Sequence, residues 1–194
     1  MSSEDIPKLS DKQTSLILKN GEIHDPGLVP IGSNYTFLVK IKHKAGQVNA
    51  IYKPEAGEQP LWDFEPGTLY KREYASFLLS ELLTWHFVPT TLIREGPYGI
   101  GSLQQFIHAD QKTNYFTIRE EFPETLKRIA IFDVIANNAD RKASHCFADK
   151  QGRVWSIDHG LTFHKDTKLR TVIWDYSDEP IPDQILWQLD ILRS

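Results

Sequence analysis

The stretch YTFLVKIKHKAGQVNAIYKP (35–54) reads as a β-hairpin. Phe37, Val39 and Ile41 alternate with Leu38, Lys40 and Lys42, a period of two that sends the two sets to opposite faces of a sheet. A turn around Ala45–Gly46 leads into the return strand QVNAIYK. The segment PEAGEQPLWDFEPGT (54–68) holds three prolines and two glycines and reads as a loop. LYKREYASFLLSELLTWHF (69–87) has helical spacing, with Leu69, Tyr70, Glu73, Tyr74, Phe77, Leu78 and Leu82 near one face and Thr68 as N-cap. TTLIREGPYGIGSLQQFIH (90–108) reads as two strands joined at Gly96–Pro97. FPETLKRIAIFDVIANN (122–138) is a second helix, with Leu126, Ile129, Ala130, Phe132, Asp133 and Ile135 on or near its apolar face. CFADKQGRVWSID (146–158) is a hairpin turning at Lys150–Gly152, and PDQILWQLDIL (182–192) is a short last helix. Ahead of the first hairpin, TSLILKNGEI (14–23) is a short strand or helix closed by Asn20–Gly21, and residues 1 to about 12 are expected to be loose.

This order predicts an α+β chain: an N-terminal antiparallel sheet with a helix, then a mainly helical C-terminal part, with a ligand cleft between them. The 194 residues suit one domain of two small lobes. A net charge of -4 provides no large cationic field, which argues against nucleic acid or an anionic membrane as partner. No apolar run approaches the roughly 20 residues that cross a bilayer. The polar, acidic N-terminus is unlike a signal peptide, and the single cysteine, Cys146, allows no intrachain disulfide; a cytoplasmic protein is expected.

Several residues carry chemistry. Lys53 ends the strand NAIYK, and Glu73 lies in the first turns of the following helix. Alone, the lysine suits a solvated sheet edge and the glutamate a helix N-terminus, where the macrodipole favours an acid. Together they match the sheet lysine and helix glutamate by which protein kinases hold nucleotide phosphates. Gly32-Ser33-Asn34, just before the hairpin, is a turn whose amides can approach phosphate, and equally an ordinary turn. Asp140 sits in the polar loop NNADRKASHCF (137–147), and Asp158 ends the apolar run VWSID. Phosphoryl transfer needs one carboxylate near the attacking hydroxyl and one on the metal that bridges the phosphates. Kinase-like folds supply them in this order: a loop, a short hairpin, then an acid with a glycine two places on, here Gly160. The seven histidines show no zinc-ligand spacing.

AIYKP with Lys53, GSLQQFI (101–107), FDVIANNADR (132–141) and WSIDHGLTF (155–163), in this order and spacing, resemble the phosphatidylinositol 3- and 4-kinase superfamily. The type II phosphatidylinositol 4-kinases, and small bacterial proteins similar to them, look nearest. The resemblance runs from about Gly32 to Phe163. It implies a minimal two-lobed protein-kinase-like fold in a single domain, with residues 1–108 an N-lobe ending in a hinge and 109–194 a reduced C-lobe. It implies ATP with Mg2+ or Mn2+. Lys53, partnered by Glu73, would contact the α- and β-phosphates, alongside the turn Gly32, Ser33 and Asn34. Backbone groups of Gln105, Phe106 and Ile107 would meet adenine. Asp140 would orient or deprotonate the acceptor hydroxyl, Arg141 would stabilise its loop, and Asp158 would bind the metal. The pattern departs at His145, where such kinases carry asparagine as a second metal ligand; imidazole suits manganese better than magnesium. Only residues 159–194 follow Asp158, fewer than lipid kinases use to recognise substrate. The expected activity is ATP-dependent phosphotransfer to a protein or small molecule rather than to membrane lipid. Two alternatives keep the fold: a nucleotide-binding pseudokinase that regulates a partner, and a kinase-fold nucleotidyl transferase.

Overall fold

The structure, a computed structural model, describes residues 9–29, 33–110 and 112–193. Part of the segment expected to be loose is helical: α1 (Asp11–Asn20) opens on a capping box between Ser10 and Gln13 and buries Thr14, Ile17 and Leu18. Residues 1–8 of that segment lie outside the described residues. A strand without a strong sequence signal follows, β1 (Glu22–Val29). Its Asp25-Pro26 pair coincides with a register slip between His24 and Gly27, and it forms a sheet edge, where the missing proline N–H breaks no ladder.

The two N-terminal hairpins form, the first as its alternation predicts and the second as two strands joined at the Gly96–Pro97 turn. β2 (Thr36–His43) pairs with β3 (Gly46–Pro54), and β4 (Thr91–Gly96) pairs with β5 (Gly99–Gln105). The antiparallel sheet has the order β1-β2-β3-β5-β4. Strand β5 approaches β3 closely: a Cβ on Gly101 would lie 2.4 Å from the Lys53 carbonyl oxygen, so only glycine fits there. On β3, Val48, Ala50 and Tyr52 are buried with Ile17, Leu18, Ile41 and Leu103, while Asn49, Ile51 and Lys53 alternate onto the opposite face.

Helix α2 (Leu69–Leu82) lies over β4 and β5. Its expected stripe fails in the second half: Leu78 and Leu82 are exposed, and the buried side chains are Leu69, Tyr70, Glu73, Ser76 and Ser80. The inner face is polar because polar partners meet it. Ser76 Oγ is 3.1 Å from Thr162 Oγ1, and Ser80 Oγ accepts from the Val88 N–H. Thr68 stands at the N-cap, but its hydroxyl donates to the Glu65 carbonyl instead of capping.

The C-terminal part holds a single-turn helix, α3 (Tyr115–Ile118), then α4 (Pro123–Ile135), a small sheet of β6 (Cys146–Ala148) and β7 (Val154–Ser156), and α5 (Asp183–Arg193). Its core gathers Tyr115, Leu126, Ile129, Phe132, Cys146 and Ile173, and takes in Phe87 from the segment after α2. Burial pushes the Cys146 thiol up to about 11, so it serves as a small apolar side chain. Two cores, one per lobe, give the two-lobed α+β arrangement that the sequence predicts. The β3–α2 loop straps the lobes together: His164 Nε2 donates to the Asp63 carbonyl at 2.6 Å, Lys168 pairs with the Asp63 carboxylate at 2.8 Å, and Phe64 meets the His164 ring edge-on. From α2, Arg72 donates to the carbonyls of Thr162 and Phe163.

Candidate functional site

Three charged residues distant in sequence meet where the two lobes face each other. Lys53 Nζ donates to Glu73 Oε1 and, at 2.8 Å, to Asp158 Oδ1. Alternation along β3 turns Lys53 to this side, and α2 carries the buried Glu73 across from it. Glu73 Oε2 accepts the His159 backbone N–H at 3.0 Å, so one carboxylate ties the sheet lysine to the loop that carries Asp158. Asp158 itself has φ 61, in the left-handed region that aspartate tolerates better than most side chains. Gly160 has no such demand: a Cβ there would meet Glu73 Oε1 and Leu69 Cβ at 3.6 Å, an ordinary contact.

The charges support one another. Burial alone would push Lys53 down, yet Asp158 and Glu73 together hold it above its ordinary value. Asp158 is held well below the usual carboxylate range, first by Lys53, against the opposing effect of burial. Its other oxygen, Oδ2, lies 3.3 Å from His145 Nε2. Burial lowers the His145 pKa, so the ring is neutral at pH 7. His145 Nδ1 accepts from the Lys142 N–H, which leaves the proton on Nε2, on the Asp158 side of the ring.

The loop around Asp140 is anchored from behind. Arg141 turns inward and is fully buried against Asp133 of α4, with Nε and Nη2 donating to the two carboxylate oxygens at 2.9 and 2.8 Å. Its Nη1 donates to the Ile157 carbonyl, and Nη2 lies 3.0 Å from His159 Nε2. A guanidinium only donates, so this histidine nitrogen accepts. Burial, with Arg141 alongside, holds His159 well below its ordinary pKa. Asn138 and Thr171 also donate to Asp133. Arg141 therefore lies behind the loop with its side chain 0% exposed. Asp140 remains partly exposed, its Oδ2 paired with Lys142 Nζ at 2.7 Å.

The remaining residues singled out in the sequence divide. Gly32 lies outside the described residues. Ser33 is exposed in a bend, and Asn34 Oδ1 accepts the Gln59 N–H at 2.7 Å. Among the described residues, neither is hydrogen-bonded to Lys53, Glu73 or Asp158. The Gln105 and Phe106 amides are already used, donating to the Thr90 and Asn49 carbonyls. Ile107 has the first amide beyond β5 without a partner among the described residues. The sequence does not single out Lys142, Asp133 or His159 as site residues. The available signal was Asp133, a lone acid amid the apolar face of α4. No three His, Cys, Asp or Glu side chains cluster as a metal cage among the described residues. The carboxylate of Asp158 nevertheless suits a hard divalent cation, whose other positions phosphate and water would fill.

The phosphatidylinositol 3- and 4-kinase family matches residues 63–186. That span includes Glu73, Asp140, Arg141, His145 and Asp158, and begins after Lys53. Protein Rv2133c of Mycobacterium tuberculosis is 36% identical over 205 aligned positions, gaps included, and the alignment covers 88% of this chain and 74% of that protein.

Proposed function

The chain belongs to the phosphatidylinositol 3- and 4-kinase family, and from that premise we propose that it is an ATP-dependent phosphotransferase acting on a hydroxyl of a protein or small molecule. The observation that carries this reading is Lys53 held between Glu73 and Asp158. A lysine so placed exchanges Asp158 for the α- and β-phosphates when nucleotide enters, while Glu73 keeps it aimed. Asp158, with His145 beside it, would hold Mg2+ or Mn2+, which supplies charge neutralisation on the phosphates. For His145 to add a lone pair, its proton must move to Nδ1 and the Lys142 N–H must find another acceptor. Lys142 occupies Asp140 Oδ2, which leaves Oδ1 to accept the hydrogen bond of the acceptor hydroxyl and orient it for attack. Asp133 and Arg141 keep that loop in place. We set the lobe boundary at His108–Ala109, just past the hinge of Gln105 to Ile107.

Among the described residues no helix is long and apolar enough to cross a membrane. With a net charge of -4, this supports a cytoplasmic enzyme and an acceptor other than membrane lipid. A second reading, nucleotide binding without transfer, draws on His145, whose Nε2 carries its proton and lies 3.3 Å from Asp158 Oδ2. Incubation with γ- or α-labelled ATP and either metal separates the possibilities. Transfer of the γ-label to an acceptor supports the phosphotransferase, and transfer of the α-label supports nucleotidyl transfer. Binding without either supports the second reading, and absence of nucleotide binding removes all three.

A further inference from the structure

Gln104 precedes the hinge and has no part in the reading above. Across the sheet it faces Ile51 on β3 and Thr91 on β4, while Ser102 on its own strand faces Lys53. Opposed residues of antiparallel strands share a face, as do residues two apart on one strand. Gln104 therefore lies on the face from which Lys53 reaches Asp158. Only 7% of the residue is exposed, so its amide meets few waters.

Hydrogen bonding decides which way that amide points. Thr91 Oγ1 lies 2.8 Å from the Pro89 carbonyl oxygen, which only accepts, so the hydroxyl spends its one proton there. Thr91 Oγ1 then offers only lone pairs to Gln104, and the amide must present its NH2, at 2.9 Å. The opposite orientation would set two acceptors against each other. Oε1 is thereby turned away from Thr91 and accepts no hydrogen bond from the described residues. It is also absent from the fully buried polar atoms that lack a partner, so it is not sealed from solvent. The neighbouring amides of Gln105 and Phe106 are consumed, and Ile107 has the first N–H without a partner among the described residues. On the nucleotide-binding reading, a base seated between Ile107 and the Lys53 face would have Gln104 at its inner edge.

We propose that Gln104 determines base specificity: its fixed acceptor Oε1 favours a purine with a 6-amino group, as in ATP, over a 6-oxo purine. An oxo group there would set lone pair against lone pair, and a buried polar group left unpaired is the strong form of discrimination. The assignment rests on the nucleotide-binding reading and adds the base to it. The backbone at Ile107 also discriminates, so the quantity to follow is the change in selectivity on substitution. ATP and inosine triphosphate differ at the 6-position, and calorimetry with Mg2+ gives the affinity of each. For Gln104→Leu, which removes the acceptor at similar volume, the ATP-to-inosine ratio should fall about tenfold, through weaker ATP binding together with relief of the repulsion on inosine triphosphate. Thr91→Val frees the amide to turn and should lower the ratio about threefold with ATP still bound; it keeps the test available if the leucine variant misfolds. A ratio unchanged in both variants, while wild type binds ATP, overturns the assignment and leaves the nucleotide reading standing. Wild type that binds neither nucleotide overturns both.

Discussion

Replacing Asp133 with asparagine removes one charge and almost no volume, which makes it the sharpest test of how the loop around Asp140 is held. The Asp133 and Arg141 side chains are both 0% exposed, so no water can replace what is lost. Asp133 takes bonds from Arg141 Nε and Nη2, from Asn138 and from Thr171. Asparagine leaves one oxygen for these donors and turns an NH2 toward a guanidinium that can only donate. A buried cation stripped of its partner costs about 3–5 kcal/mol. For a chain of this size that corresponds to a fall of roughly 10 °C in the melting temperature, at about 2–4 °C per kcal/mol. Urea unfolding followed by tryptophan fluorescence reads the change directly. The double variant Asp133→Leu/Arg141→Leu should lose less than Asp133→Asn alone, because no charge is left buried. A cost below about 1 kcal/mol for Asp133→Asn, or a double variant as costly as the sum of its singles, would refute the reasoning.

Lys53→Met should abolish measurable ATP binding and also lower the melting temperature, because it leaves the buried Glu73 without its cation; adding Glu73→Gln should recover the melting temperature but not ATP binding. Asp158→Asn should lose metal-dependent nucleotide binding, whereas Asp140→Asn should keep binding and lose turnover by about 10²-fold or more; equal loss of binding in both would contradict their separate roles. His145→Asn should move metal preference from manganese toward magnesium, since an amide oxygen is the harder donor, and an unchanged preference would place His145 outside the metal shell. Lys53 is held above its ordinary value, so its stabilisation is present below about pH 10.4 and lost as pH rises through the folded value. Asp158 is held below, so its contribution is present above about pH 3.9 and lost as pH falls through the folded value. The urea midpoint of wild type relative to Lys53→Met should therefore be level between these limits and narrow outside them; a constant difference at every pH would count against the pairing.

The elements that were legible carried a local signal. Hairpins β2–β3, β4–β5 and β6–β7 show turn residues between short extended runs, and α2 and α4 show helical spacing over more than three turns. Strand β1 carries no such signal because proline and glycine interrupt it, and α3 carries none because a single turn has no period to detect. The order of Lys53, Glu73, Asp140 and Asp158 was also legible, since it depends only on position along the chain. Their convergence was not: Lys53 meets Asp158 across 105 positions, and only the packing of two lobes closes that distance. The same holds for polar side chains that take their burial from a distant partner. Arg141 turns inward because Asp133 awaits it, Ser76 is buried because Thr162 reaches it, and the Gln104 amide is oriented by a hydroxyl on the next strand. Apolar periodicity is written within one element, so a sequence can display it alone. A buried polar group is stable only when its complement arrives from elsewhere, and that complement exists only in the folded chain.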